Sequence, residues 1–129
     1  MDTTANPISN SVYRERLQQA KRVMEGLTEQ QRSNNFDINR FASESEFGVI
    51  ACIAGHCGLD PWFQAQGFET DIKDSNVNIL PEDFFGTMKP FYRSYYQTEH
   101  VTVDDAICAL DRAIDSLTDV PSISVDPAT

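Results

Sequence analysis

The chain has little of several features that mark whole classes of protein. Basic residues are scarce: ten Lys and Arg stand against twenty Asp and Glu, which gives a net charge of -10. Binding to nucleic-acid phosphates needs clustered Lys and Arg, so this balance argues against direct contact with nucleic acid. It favours a basic partner, or simply solubility. No apolar run approaches the roughly 18 residues of a membrane span, which argues against a membrane protein.

Cysteine is also scarce. The three cysteines, Cys52, Cys57 and Cys108, form no Cys-x-x-Cys pair, and the odd number argues against a disulfide framework or a zinc ribbon. Reduced thiols are typical of the cytosol. The N-terminus has neither a basic stretch nor an apolar stretch, so we expect no signal peptide and a cytoplasmic protein.

Motifs typical of enzymes are missing as well. The six glycines form no phosphate-binding loop, and no sequence signal brings two carboxylates to one cleft, as glycosidases and metal-dependent nucleases require. We therefore expect a non-enzymatic protein without a cofactor.

The apolar pattern predicts an all-α protein, because every strong period is 3.6 residues and no hairpin signal such as Asn-Gly occurs,. At 129 residues the chain has the length of one domain,. We predict a single compact domain of four to six helices over residues 10–118. A flexible N-terminus at residues 1–9 and a flexible acidic tail at residues 119–129 would flank it.

Residues 43–57 are predicted to form a buried central helix, because this is the only run that is apolar on every side,. A capping box of Ser43 and Glu46 would begin the helix, and Gly58 would end it in the left-handed conformation. Small residues on one side, Gly55 among them, predict the close approach of a neighbouring backbone.

Other helices are predicted around this centre. The pattern places them at residues 10–24, after Pro61, after Pro81, at residues 89–96, and from a Thr102 cap onward. The polar residues 69–78 predict an exposed loop.

Residues 36–57 resemble a known pattern. The segments FDINRFA and FGVIACIAGH are similar to Phe-Asp-Met/Ile followed by Cys-Gly-Thr-x-x-Cys-Ile-Ala-Gly-Trp/His in small, mostly uncharacterised phage and bacterial proteins. The matching residues are Gly48, Cys52, Ala54, Gly55 and His56. Phe47 and Val49 depart from the pattern, which has Cys and Thr there. The resemblance implies a small helical fold and a mobile-element origin, and it implies no activity.

The last helix predicts an acidic ridge. At about 100° per residue, Asp104, Asp111 and Asp115 fall on the side opposite the apolar stripe, with Cys108 among them. Their spacing is within the range of phosphates along a nucleic-acid strand, so a basic groove could bind the row in place of a backbone. A solvated helix face is the alternative interpretation.

Two further surfaces belong to this interaction hypothesis. Asp71 and Asp74 lie in the polar loop, and Tyr92, Tyr95 and Tyr96 lie in an aromatic cluster where not every ring can face inward. The leading hypothesis is therefore an acidic interaction protein whose partner is a basic, nucleic-acid-binding host protein. Together with the resemblance, it points to an inhibitor of a host defence system.

Cys52 and His56 give a second hypothesis. A spacing of four would place both on one face of a helix, which suits two ligands of one metal or a thiol with its base. A small metal- or ligand-binding helical domain centred on this pair is thus the alternative function. Buried packing without chemistry is the other interpretation of the pair, because free Cys is among the most buried residue types.

Overall fold

Two long helices, α1 (Asn10–Glu25) and α6 (Val103–Ser124), pack against each other along one side of the molecule. The computed structural model describes residues 9–46 and 48–124, with side chains through residue 117. The N-terminus of α1 is capped by Ser9, whose Oγ accepts the N–H of Val12, and Gly26 follows its last turn. The stripe of Leu17, Ala20 and Met24 is fully buried. The first predicted helix is therefore confirmed.

Short elements fill the chain between these two helices. In order they are α2 (Glu29–Asn34), β1 (Ser43–Ser45), β2 (Gly48–Ile50), α3 (Ile53–Cys57), α4 (Pro61–Ala65), β3 (Thr70–Asp71), β4 (Asn76–Val77), α5 (Pro81–Phe85) and 3-10 turns at Lys89–Phe91 and Arg93–Tyr95. The described residues thus form a mainly helical structure with two small antiparallel sheets. The prediction of a purely all-α fold is wrong in this respect.

The predicted central helix is the largest correction. Its first half is a hairpin in which Ser43 pairs with Ile50 and Ser45 pairs with Gly48. The hairpin forms because Gly48 adopts a φ of +100°, which glycine tolerates, and the β-branched residues that follow suit a strand,. The Oγ of Ser45 donates to the Gly48 carbonyl over 2.8 Å, and no capping box of Ser43 and Glu46 forms.

The helical half, α3, has only five residues and is buried. Gly58 ends it as predicted, but with a φ of -68°, which is right-handed and not left-handed. The polar segment 69–78 is largely exposed, as predicted, but part of it pairs as the β3–β4 hairpin. Residues 89–96 form the two 3-10 turns instead of one helix, because the extended backbone of Tyr92 separates them.

The predicted short helices after Pro61 and Pro81 are confirmed. Asp60 accepts the N–H of Trp62 over 3.1 Å and caps α4, while Gly86 ends α5 with a left-handed φ of +78°. These helices bring a cluster of buried rings together, and its members are Phe63, Phe68, Phe84, Phe85 and Phe91.

The predicted flexible segments lie at the two ends of the chain. Residues 1–8 and 125–129 lie outside the described residues, and the backbone of α6 is helical through Ser124, past the predicted boundary at residue 118. No helix in the described part of the chain combines the length and the apolar character that crossing a membrane requires.

Gly55 lies at the tightest contact of α3. A Cβ built there would lie 1.6 Å from the carbonyl oxygen of Phe41, so only glycine fits. The predicted close approach is confirmed, although the neighbour is the backbone of a loop and not a second helix.

We predict that Gly55→Ala lowers the free energy of unfolding by about 2 kcal/mol or more, because the new methyl group overlaps backbone that cannot move aside easily. Gly26→Ala is the matched control: Gly26 has an ordinary φ of -78° and a Cβ there would meet no atom closer than 3.3 Å. Its effect should stay below about 1 kcal/mol. Chemical denaturation measures both, and equal stability of the two variants would contradict the prediction.

Candidate functional site

Cys52 and His56, the predicted metal or thiol pair, are both part of the packing around α3. Cys52 is the residue before the helix and is 2% exposed, and its N–H donates to the Arg40 carbonyl over 2.7 Å. His56 Nε2 lies 2.7 Å from the Asn35 carbonyl oxygen. Because a carbonyl oxygen only accepts, Nε2 carries the proton. Each residue therefore has a structural role.

Burial also sets the protonation of this pair. It raises the pKa of the Cys52 thiol to about 11 and lowers the pKa of His56 below its ordinary value,. The thiol is therefore protonated and the imidazole neutral near pH 7, which removes the thiolate that nucleophilic catalysis needs. Within the described part of the chain, no group of three His, Cys, Asp or Glu side chains is arranged to hold a metal ion.

The acidic ridge of α6 is at the surface, but two of its acids already have partners. Asp111 forms an ion pair of 2.7 Å with Lys21 of α1, and Asp104 forms one of 3.1 Å with Arg32 of α2. Asp115 is exposed. The hydrogen bond that Lys21 donates to Asp111 raises the pKa of Lys21. The ridge therefore borders α1 and α2 and is partly neutralised by their cations.

Asp105 has a role that the sequence analysis missed. Its Oδ2 accepts the N–H of Thr102 over 3.0 Å, and the Thr102 Oγ1 accepts the N–H of Asp105 over 3.1 Å. This reciprocal arrangement begins α6 in the manner of a capping box. The Thr-x-x-Asp spacing was the available signal, since Thr102 itself was predicted as the cap.

The β3–β4 hairpin presents the other predicted acids. Asp71 and Asp74 are both exposed, and the Asp71 Oδ1 accepts the N–H of Asp74 over 3.1 Å. Glu69 lies beside them, and the hairpin lines an open concavity of about 520 Å³. No Lys or Arg in the described ranges lies within ion-pair distance of these three acids. The hairpin also carries the exposed Lys73, so it holds three acids against one cation and is net acidic.

The three tyrosines divide into two kinds. The Tyr92 hydroxyl donates to Glu82 Oε1 over 2.7 Å and the Tyr96 hydroxyl donates to the Pro90 carbonyl over 2.5 Å. Burial raises the pKa of both. Tyr95 instead lines two open concavities beside α6, of about 330 and 480 Å³. Each of the three rings is half-buried, and Tyr96 also lines the larger of these two concavities.

One cavity was not foreseen from the sequence. It has a volume of about 200 Å³ and is lined by Ile38, Asn39, Arg40, Phe41, Cys52, Phe91, Tyr92 and Arg93. These residues come from three separate segments, so no local pattern could have indicated that they meet.

The pKa of His56 gives a prediction about pH. Because folding lowers this pKa below 6.5, the unfolded chain takes up the proton first as the pH falls,. The stabilisation is therefore complete above about pH 6.5 and is lost progressively below it. We expect the free energy of unfolding to fall between pH 7 and pH 5, and His56→Gln to flatten this decline.

His100→Gln is the control, since His100 is the other histidine and is exposed. That variant should keep the slope of the wild type in denaturation measured across the same pH range. A decline that persists unchanged in His56→Gln would show that another group is responsible.

The cysteines give a second prediction. Cys108 is exposed, whereas Cys57 is fully buried and burial holds its pKa well above the ordinary value. A thiol reagent added to the native protein should therefore modify Cys108 first, and Cys52 and Cys57 only as the protein opens. Mass spectrometry of the labelled peptides measures the order. In Cys108→Ser the fast phase should disappear, and rapid labelling at Cys52 would contradict the assignment.

No protein-family model matches this chain, and neither a curated protein nor a solved structure shows a significant match to it. Its function is therefore inferred from its own side chains.

Proposed function

We propose that this protein is a non-enzymatic interaction protein that binds the basic surface of a partner, and that the partner is a nucleic-acid-binding host protein such as a component of a defence system. The observation that carries the proposal is the net acidic surface of the β3–β4 hairpin, whose three acids form no ion pair among the described residues, in a chain whose net charge is -10. A basic groove that accepts nucleic-acid phosphates has the complementary charge.

The hairpin is the stronger of the two acidic surfaces. Lys73 is the one cation in the hairpin, and it forms no ion pair with Glu69, Asp71 or Asp74 among the described residues, so a partner has no ion pair to displace. The turn is also held in shape, because the Asp71 carboxylate fixes the backbone of Asp74 and the Asn78 Oδ1 accepts the N–H of Glu69 over 2.8 Å. A fixed turn loses little conformational freedom when it binds.

The ridge of α6 is a second, weaker surface. A basic partner would have to replace Lys21 at Asp111 and Arg32 at Asp104. Exposed ion pairs of this kind contribute little to stability because solvent screens them, so a basic partner can replace them. Asp115 needs no exchange, and Tyr95 on the neighbouring 3-10 turn offers an accessible aromatic ring at the edge of α6.

Three double variants separate these surfaces, and each raises the net charge by the same amount. Asp71→Asn with Asp74→Lys alters the hairpin and keeps the acceptor oxygen that holds the turn. Asp111→Asn with Asp115→Lys alters the ridge. Glu44→Gln with Glu46→Lys is the control, because these acids are exposed on the β1–β2 hairpin, which has no role in the proposal.

We predict that the hairpin variant binds the basic partner about tenfold more weakly than the wild type, the ridge variant less so, and the control within about twofold. The partner is first isolated from host lysate with the wild-type protein and then titrated with each purified variant. Wild-type affinity should fall steeply between low and physiological salt, and double-stranded DNA should compete for the partner. If the hairpin and ridge variants both bind as tightly as the control, the acids only keep the protein soluble.

A further inference from the structure

A cavity of about 200 Å³ lies between residues 38–41, the N-terminal end of α3 and the 3-10 turns. Its lining combines apolar residues with two arginines. Arg40 comes from the segment before β1, and Arg93 comes from the second 3-10 turn. No Asp or Glu among the described residues lines the cavity. Two of the ten basic residues of an acidic chain therefore meet at one concave site.

The wall that carries Arg40 is fixed by backbone contacts. The Arg40 carbonyl accepts the N–H of Cys52, and the Phe41 carbonyl lies against Gly55 with no space between them. Asp37 adds a further restraint, since its Oδ1 accepts the N–H of Asn39 over 2.9 Å. This side of the cavity is therefore formed before any ligand arrives.

The opposite wall is fixed by rings and hydroxyls. Phe91 is 2% exposed and stacks on Phe85 with 4.4 Å between the ring centroids. The Tyr92 hydroxyl is bound to Glu82, and the Arg93 Nη1 donates to the Tyr96 carbonyl over 3.2 Å. Arg93 is thus anchored by one nitrogen at a defined place beside an apolar surface.

Both guanidinium groups keep donors for a ligand. Each has five N–H bonds, and the bonds within the described residues engage the Nε and Nη1 of Arg40 and the Nη1 of Arg93. Asp37, 3.1 Å from the Arg40 Nε, offsets part of the positive charge. It also orients the guanidinium, and it leaves the Nη2 side of Arg40 and most of Arg93 unengaged.

We propose that this cavity binds a small aromatic carboxylate, whose ring lies against Phe41 and Phe91 and whose carboxylate lies between Arg40 and Arg93. Guanidinium groups bind carboxylates through paired N–H donors, which is why arginine suits this role. The volume fits one ring with its acid group, because an apolar cavity of about 150 Å³ accommodates benzene. The site is independent of the acidic surface that would contact a protein partner.

Benzoate is the probe, and benzamide is its uncharged counterpart of nearly the same shape. The full chain is labelled with ¹⁵N and titrated with each compound while the backbone amide signals are followed by NMR. We expect benzoate to shift the signals of Phe41, Cys52 and Phe91 with a millimolar Kd, and benzamide to bind about tenfold more weakly or worse.

Arg93→Gln is the deciding variant, and it should weaken benzoate about tenfold. Arg40→Gln should weaken it similarly, and its spectrum without ligand reports whether loss of the Asp37 pair has changed the loop. Arg22→Gln is the matched control, because Arg22 is exposed on α1 and bonds to Gln19. Equal affinity for benzoate in Arg93→Gln and wild type, equal binding of benzamide, or no binding at these residues would each overturn the proposal.

Discussion

The contact of α3 with the segment before β1 is the constraint on which the rest of the structure depends. Five residues are too few for a stable helix in water, so α3 exists because its surroundings hold it,. The missing side chain of Gly55 lets the Phe41 backbone reach the helix, and Gly58 makes equally close contact with Thr70. The Thr70 hydroxyl then donates to the Gly55 carbonyl over 2.8 Å. One short helix thereby joins the two hairpin regions.

Backbone hydrogen bonds also hold the residues just before α3 in place. The Ala51 N–H donates to the Asn35 carbonyl over 3.0 Å, and the Ala51 carbonyl accepts the Asp37 N–H over 3.1 Å. The same Asn35 oxygen also accepts a hydrogen bond from the His56 ring. Cys52 and His56, the predicted metal or thiol pair, are therefore enclosed by the packing that positions α3. Their burial keeps the thiol protonated and the imidazole neutral, so the constraint that builds the fold also removes thiol chemistry from its centre,.

The sequence predicted the elements whose ends carry local signals. The prolines that begin α4 and α5 and Thr102 before α6 act within one helical turn, so a local reading finds them,. The helix prediction for residues 43–57 was wrong in its first half because a short apolar run is compatible with either a buried strand or a buried helix. Contacts with residues distant in the sequence, above all Asn35 and Phe41, determine whether a strand or a helix forms. Local sequence patterns do not report such contacts.

The candidate sites also include features with a local sequence signal and features that depend on contacts between distant residues. Exposure of Asp71, Asp74 and Asp115 follows from polarity and helical spacing, and the structure has all three at the surface. The pairing of Asp111 with Lys21 joins α6 to α1, and the cavity of Arg40 and Arg93 joins segments more than fifty residues apart. Contacts over such separations depend on how the helices pack, which the periodicity of each helix alone does not specify.

Several cations are engaged in the packing of the chain itself, so the acids dominate the surface more than the net charge implies. Arg16 lies over the Phe84 ring at 3.9 Å and donates to the Phe84 carbonyl, so its charge serves the packing of α1 on α5. Arg32 donates to two carbonyls at the end of α1 besides pairing with Asp104. These cations are held by groups of their own chain and are not available to neutralise the hairpin. A basic partner would therefore meet a hairpin whose three acids outnumber its one cation, Lys73,.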